Sequence, residues 1–118
     1  MLLADTATIG VGASIGDGCM IANHAHVGPM ATVGTGCIIN TAAVVEHECA
    51  IGDFGHVSVN ATIAGRTRVG LRCMIGAGAS VVDGLQIGND IVIGAGAVVH
   101  RSISEAGIYV GNPARKLR

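Results

Sequence analysis

Aromatic residues are almost missing from this 118-residue sequence, which contains one Phe, one Tyr and no Trp. A core centred on aromatic rings is therefore excluded, and small and β-branched side chains must fill the interior of a single domain. Half of the residues are hydrophobic, yet no run without polar residues reaches the roughly 18 residues of a membrane-spanning helix. The opening residues MLLADTATIG also lack the basic and apolar regions of a signal peptide, so we expect a cytoplasmic protein without membrane contact.

Basic residues are missing from the first half of the chain. Residues 1–65 contain five acidic residues and no Lys or Arg, whereas residues 66–118 contain seven basic and three acidic residues, a local net charge of +4. This asymmetry predicts that an anionic ligand binds towards the C-terminal end. Without aromatic residues between the basic ones, the same charge is too small to indicate nucleic-acid binding.

The dominant feature that is present is a repeat of six residues. Sixteen consecutive Ile or Val residues follow one another at this spacing from Ile9 to Val99. A small residue precedes most of them by two positions, and Gly often follows directly, as at Gly10 and Gly52. Because six is a multiple of the strand period and not of the helical period, each unit predicts a short strand with its aliphatic and small residues facing inward.

Three such units close a triangular coil of 18 residues, and the coils stack about 4.8 Å apart as parallel strands. The sequence therefore predicts an all-β fold of about six coils. We expect the recurring Gly to supply the turn at each corner, where a positive φ costs it little. The β-helix should span residues 1–100, and residues 101–118 should form a short C-terminal cap, because Glu105 and Gly111 stand where aliphatic residues are due.

The repeat resembles that of the hexapeptide-repeat proteins, which implies a single-stranded left-handed parallel β-helix. The left hand follows from the resemblance alone, since parallel crossovers are ordinarily right-handed. Residues 110–115, VGNPAR, resemble the G-x-P-A-[KR] ending of hexapeptide acyltransferases.

The four cysteines keep the register of the repeat. Cys19, Cys37, Cys49 and Cys73 all occupy the small inward position, and every gap between them is a whole number of repeats. No pair has the CxxC spacing of a zinc site, so we expect reduced thiols that pack in the core and no bound metal.

An apolar column should run along one wall of the prism. The residue before each aliphatic points outward, and every third one follows a single wall, which gives Leu2, Met20, Ile38, His56, Met74 and Val92. Exposed apolar surface of this kind indicates an interface, and a three-sided prism fits a closed homotrimer.

The candidate chemistry lies at Glu46, His47 and Glu48. A neutral imidazole can take a proton from an amine or hydroxyl, and a carboxylate on its other ring nitrogen fixes the tautomer and stabilises the cation. Either glutamate can be that carboxylate, and an ordinary solvated corner histidine is the alternative. His56 lies half a coil away, so the two histidines should face each other only across a trimer groove.

The stretch NTAAVVEHECAIGDFGHVS resembles the active-site segment of the acetyl-CoA-dependent acetyltransferases that modify nucleotide-linked 4-amino sugars, and of the related sialic-acid O-acetyltransferases. The resemblance implies that His47 is the general base, that Glu48 polarises it, and that His56 contacts the acetyl group or lines the site. It also implies that the Gly65 amide binds the thioester carbonyl. In that role Gly allows close approach and its N–H holds the developing oxyanion.

The expected reaction is direct transfer of an acetyl group from acetyl-CoA to an amine or hydroxyl of a small acceptor, without a covalent enzyme intermediate. The donor should lie between two prisms, with its phosphates towards the basic C-terminal end. Its expected contacts are Gly65, Arg66, Arg68, Gly76, Pro113, Arg115 and Lys116. The sequence does not name the acceptor.

Two other functions remain open. The sugar-modifying relatives carry an N-terminal nucleotide-binding domain, and this chain begins almost directly with its first coil. Either the acceptor binds differently, a separate protein supplies that domain, or the chain is an idle trimeric scaffold. A β-helical carbonic anhydrase is the other rival, but no two histidines show the five-residue spacing of its zinc ligands. We expect surface roles for His24 and surface or interface roles for His26.

Overall fold

The computed structural model describes residues 1–118 as strands and turns, without a helix. Most strands are two residues long, because each six-residue unit uses its other four residues at a corner. The structure contains no helix long and apolar enough to span a membrane. In chain order the strands are β1 (Leu2–Leu3), β2 (Thr8–Ile9), β3 (Ser14–Ile15), β4 (Met20–Ile21), β5 (His26–Val27), β6 (Thr32–Val33), β7 (Ile38–Ile39), β8 (Val44–Val45), β9 (Ala50–Ile51), β10 (His56–Val57), β11 (Thr62–Ile63), β12 (Arg68–Val69), β13 (Met74–Ile75), β14 (Ser80–Val81), β15 (Gln86–Ile87), β16 (Ile91–Ile93), β17 (Val98–Val99), β18 (Gly107–Val110) and β19 (Arg115–Lys116).

The strands form three sheets, which are the three faces of a prism. Face 1 has the order β1-β4-β7-β10-β13-β16-β18-β19, face 2 the order β2-β5-β8-β11-β14-β17, and face 3 the order β3-β6-β9-β12-β15. Each strand of the repeat pairs in parallel with the equivalent strand of the next coil, as His56 pairs with Met74. The predicted parallel β-helix of triangular coils is therefore confirmed, in a molecule of 37 × 22 × 19 Å.

Three corners join these faces. We call the corner between faces 1 and 2 the first corner, that between faces 2 and 3 the second, and that between faces 3 and 1 the third. Equivalent residues of successive coils lie above one another at a corner, because the strand pairs on either side of it keep the same register.

The repeating Ile and Val residues and the small residues before them form one continuous core. Along face 2, for example, Val27, Val45 and Ile63 are fully buried. Burial on this scale contributes roughly 1.5–3 kcal/mol for each aliphatic side chain. The first coil departs from this pattern, since Ile9 is 38% exposed.

The four cysteines are buried, unpaired thiols. Cys19 and Cys37 lie in adjacent coils, where the Cys37 amide donates to the Cys19 Sγ at 3.4 Å. Burial raises the pKa of the Cys37 thiol, and the same cause raises the pKa of Cys49 and Cys73. A raised pKa keeps these thiols protonated and unreactive, as expected of packing residues.

The recurring Gly has a different role from the one expected. Neither Gly10 nor Gly52 has a positive φ. A Cβ on Gly10 would lie 2.6 Å from the Gly28 carbonyl carbon of the next coil, so the missing side chain lets the coils approach each other. The residue with a positive φ is instead the one two positions after this Gly position. It is often a residue other than Gly: His24, Met30, Ala42, Glu48, Phe54, Asn60, Arg66, Arg72 and Asp90. The expectation was wrong because a periodic pattern gives a spacing and not a dihedral angle.

The chain beyond residue 100 continues as a shortened coil. Ile103 bridges to Ile87, and Tyr109 pairs with Ile93. The two residues of each pair are 16 residues apart in the chain, two fewer than in a regular coil. Ile103 and Tyr109 are both only 8% exposed, because they extend the core upward. Strand β19 then pairs with β18 in antiparallel fashion and covers part of this last edge.

The outward residues of face 1 align in the predicted order, from Leu2 through Met20, Ile38, His56 and Met74 to Val92. Leu2 is 71% and Met74 is 42% exposed. The structure therefore contains the predicted column on its surface. The homotrimer that would bury this column stays a prediction.

Candidate active site

His47 lies on the second corner, two residues after strand β8. The residues that succeed it on this corner are Gly65 and Asp83, one in each of the next two coils. The His47 side chain is 42% exposed, so it is held at the surface and open to a ligand.

Glu48 fixes the orientation of the His47 ring. The Glu48 Oε1 lies 3.1 Å from the His47 Nδ1. Glu48 has a positive φ of 62°, a conformation that turns the chain sharply at this residue. Since an ionised carboxylate can only accept, Nδ1 must carry the hydrogen, and Nε2 is left with its lone pair as the basic atom.

The Nε2 atom of His47 faces the next coil at Gly65. A Cβ built on Gly65 would lie 2.6 Å from the ring Cε1 and closer still to Nε2, so only Gly leaves room for the ring. The Gly65 N–H donates to no acceptor within the chain. A basic nitrogen and a free backbone donor are thus adjacent, which is the pair that proton abstraction and oxyanion binding require.

Glu46 belongs to a different contact. Its Oε1 lies 4.0 Å from the His26 Nε2, and the His26 Nδ1 lies 2.6 Å from the Thr8 Oγ1. Of the two glutamates that the sequence left open, Glu48 is therefore the one in hydrogen-bond contact with His47.

His56 lies on face 1, opposite the second corner. The structure therefore does not bring His56 and His47 together within one chain. The His56 Nε2 contacts the Asn40 Nδ2 at 3.3 Å, and the nearby Ser58 Oγ is buried without a hydrogen-bond partner. Asn40 and Ser58 were missed in the sequence, although both stand where Gly or Ala is common after an aliphatic residue, and that departure was a usable signal.

The predicted donor residues are spread over four places: the second corner, face 3, the C-terminal end and the first corner. Arg66 is exposed on the second corner, with its Nη1 3.8 Å from the Glu48 Oε1. Arg68 lines a cavity of about 480 Å³ on face 3 together with Gln86 and Ser102.

The C-terminal end holds the remaining cationic candidates. A cavity of about 470 Å³ is lined there by Arg101, Pro113, Arg115 and Lys116. Lys116 also binds the Glu105 carboxylate, whose hydrogen bond raises the pKa of the ammonium group. Arg101 was missed in the sequence because only the folded chain brings it into one cavity with Arg115 and Lys116.

Gly76 lies on the first corner, away from His47. A Cβ there would lie 2.6 Å from the Ala95 N, so coil stacking alone explains this Gly. Its contact with the donor stays a prediction. Within the chain, no three His, Cys, Asp or Glu side chains come together as metal ligands.

The fold and this corner define a class of protein, a parallel β-helix built from six-residue units with a histidine–carboxylate pair on its surface. A family model described as the hexapeptide repeat of succinyl-transferase matches residues 4–24 and 66–101. The six-residue repeat of this chain is thus similar to the hexapeptide repeat that this family model describes. No curated protein sequence matches it significantly.

Solved structures extend the comparison. The chain is similar to the acetyltransferase domain of PglB from Neisseria gonorrhoeae, with 36% identity and a TM-score of 0.96 over 98% of the chain and 57% of that structure. The same domain in complex with acetyl coenzyme A gives 36% identity and a TM-score of 0.95 over 98% of the chain and 56% of that structure. PerB from Caulobacter crescentus, in complex with CoA and GDP-perosamine, gives 32% identity and a TM-score of 0.94 over 98% of the chain and 57% of that structure. The chain thus spans little more than half the length of these relatives.

Proposed function

We propose that this protein transfers an acetyl group from acetyl-CoA to an amine or hydroxyl of a nucleotide-linked sugar. The observation that carries the proposal is the His47 ring, held by Glu48 at 3.1 Å with its Nε2 against Gly65. The relatives bound to acetyl coenzyme A, or to CoA and GDP-perosamine, support this donor and this class of acceptor.

The reaction proceeds in one attack on the thioester. The His47 Nε2 takes the proton of the acceptor amine or hydroxyl as the acceptor's lone pair attacks the acetyl carbonyl carbon. The Gly65 N–H donates to the oxyanion that develops, and Glu48 stabilises the imidazolium that forms. Collapse breaks the C–S bond, and His47 returns its proton to the departing thiolate of CoA.

A homotrimer completes the site in this proposal. The apolar column on face 1 packs against a second copy, and His56 of that copy then faces His47 across the groove. Asn40 holds His56 by the contact at 3.3 Å. His56 thereby contacts the acetyl group or lines the site, as the family resemblance implies.

The donor extends from His47 towards the C-terminal coils. Arg68, Arg115 and Lys116 bind its phosphates, with Gly76 and Pro113 as further contacts. The GDP-perosamine bound by PerB favours an amine acceptor, and we place the reaction in the cytoplasm.

The first test is calorimetric titration with CoA and acetyl-CoA. We expect saturable binding that the double substitution Arg115→Ala/Lys116→Ala weakens by about tenfold or more, since each lost phosphate contact removes a charge-assisted bond. Arg72→Ala is the matched control, because Arg72 is an exposed arginine that binds Asp90 on the third corner. The absence of binding at millimolar ligand would contradict the proposal.

Catalysis itself is tested by His47→Ala. Removal of a general base should lower the rate by about 100-fold or more while the oligomer stays intact. His24→Ala, on the first corner, serves as the control histidine. Full activity of His47→Ala with an amino-sugar acceptor would remove His47 from the mechanism.

A further inference from the structure

Arg66 lies directly above Glu48 on the second corner. The two residues occupy equivalent turn positions one coil apart, with φ of 61° and 62°. The Glu48 Oε1 lies 3.8 Å from the Arg66 Nη1 and 3.1 Å from the His47 Nδ1. One carboxylate oxygen therefore lies between a guanidinium and an imidazole.

The backbone ties Arg66 to the same corner. The Arg66 N–H donates to the His47 carbonyl oxygen at 2.9 Å, so the origin of the Arg66 side chain is fixed relative to His47. Opposite charges this close attract each other even at the surface. Because the side chains are 60% and 53% exposed, water screens the attraction and its effect is modest.

We propose that Arg66 is a positioning residue for the His47–Glu48 pair and not a ligand of the donor phosphates. The guanidinium holds the carboxylate beside Nδ1, and Nε2 then keeps its lone pair towards Gly65. The expected effect of Arg66 on catalysis rests on the proposed function. The contacts of Glu48 with Arg66 and His47 do not depend on it.

The charges around His47 set the expected direction of any change with pH. Glu48 lies beside the ring and Arg66 one coil above, while Glu46 and its partner His26 lie on the side of face 2. The residues stacked on His47 along the corner, Pro29 and Gly65, carry no charge. Without Arg66 the Glu48 carboxylate is no longer held beside Nδ1, so the imidazolium loses its anionic partner and should form at a lower pH.

The kinetic test compares Arg66→Gln and Arg66→Lys with Arg72→Gln. Arg72 is the matched control because it has the same kind of turn conformation, with φ of 55°, and its own carboxylate partner, Asp90, at 2.7 Å. We expect Arg66→Gln to lower kcat about two- to fivefold, the scale of an exposed ion pair. The KM for acetyl-CoA should stay unchanged, and the acidic limb of the kcat profile should move to lower pH.

Arg66→Lys should restore part of the loss, and Arg72→Gln should leave kcat and its pH profile unchanged. A raised KM for acetyl-CoA with unchanged kcat would overturn the inference and assign Arg66 to the donor phosphates. An Arg66→Gln enzyme identical to wild type would also overturn it.

A second measurement does not depend on turnover. NMR titration of the His47 ring nitrogens in the intact protein should show the midpoint at a lower pH in Arg66→Gln than in wild type or Arg72→Gln. A midpoint that does not move, or that rises, overturns the inference. If no acetyl transfer occurs at all, the proposed function fails, while a lowered midpoint still supports the contact.

Discussion

The two glutamates beside His47 carry the same charge and have different partners. Glu48 contacts the His47 Nδ1 at 3.1 Å, whereas Glu46 lies 4.0 Å from His26. We expect Glu48→Gln to lower kcat by about tenfold or more, because an amide neither fixes the tautomer nor stabilises the imidazolium. Glu46→Gln is the matched control and should change kcat less than about twofold. Equal losses in steady-state assays of the two variants would contradict this assignment.

Gly65 gives a second prediction at the scale of one residue. The added Cβ of Gly65→Ala would lie 2.6 Å from the His47 Cε1 and would displace the ring. Displacement of a catalytic group by about 1 Å can cost on the order of 10²-fold in rate. The neighbouring atoms belong to a side chain at the surface, so the melting temperature should change little. A variant with wild-type activity would show that the ring does not work from this position.

Single residues were only partly predictable. A glutamate beside His47 was expected from the order of residues 46–48, and only the folded structure distinguishes Glu48, which contacts His47, from Glu46, which lies near His26. The contacts of Glu48 with Arg66 and of His56 with Asn40 each join residues of neighbouring coils. Such contacts depend on whether a side chain at a corner points towards the preceding or the following coil. The repeat alone does not contain that information.

At the scale of the coil, close stacking explains Gly at the position after each strand. A Cβ on Gly52 would lie 2.5 Å from the Gly70 carbonyl oxygen, and that backbone cannot move aside. We expect Gly52→Ala to destabilise the fold by roughly 1–3 kcal/mol, the usual cost of overpacking. Chemical denaturation measures this loss, and Gly65→Ala is the contrast, since it should lose activity and keep stability. Equal stability of Gly52→Ala and wild type would argue against the stacking explanation.

The Arg72–Asp90 pair joins two coils at the third corner. Hydrogen bonds from Arg72, together with its charge, lower the pKa of the Asp90 carboxyl. A carboxyl with a lowered folded-state pKa stabilises the fold above its unfolded pKa of about 4, and this contribution disappears as pH falls through the folded value. Asp90→Asn should therefore lower the melting temperature slightly near pH 7 and not near pH 2. Asp83→Asn is the control, and a difference from wild type that persists in acid would contradict the linkage.

The elements themselves followed from the sequence, because sixteen aliphatic residues at one spacing admit few other arrangements. Strands, faces and inward residues were predicted from Ile9 to Val99. Beyond Val99 the spacing of six ends, and the spacing alone did not predict that Ile103 and Tyr109 would continue the core in a shorter coil. The spacing of a repeat does not indicate where the next coil will be shorter.

At the scale of the whole molecule, the exposed column on face 1 predicts a trimer. We expect light scattering to give three chains at micromolar concentration, and Ile38→Asp to give monomers, because a buried unpaired carboxylate is costly. Ser14→Asp, on the first coil of face 3, is the control. Wild-type protein that is monomeric would contradict the interface and with it the role of His56.

The regular coils, which follow one spacing from Ile9 to Val99, limit how such a chain can change in length. A deletion of one six-residue unit between His47 and the basic C-terminal end would leave coils that still close, but it would turn that basic end onto another face. A deletion of three units would keep the basic C-terminal end on the same side of the prism. It would bring that end nearer to His47 by one strand spacing, about 4.8 Å. In the proposed reaction, the distance from His47 to the residues that bind the donor phosphates therefore changes in steps of one strand spacing, and the number of regular coils between them sets the length of the donor that fits.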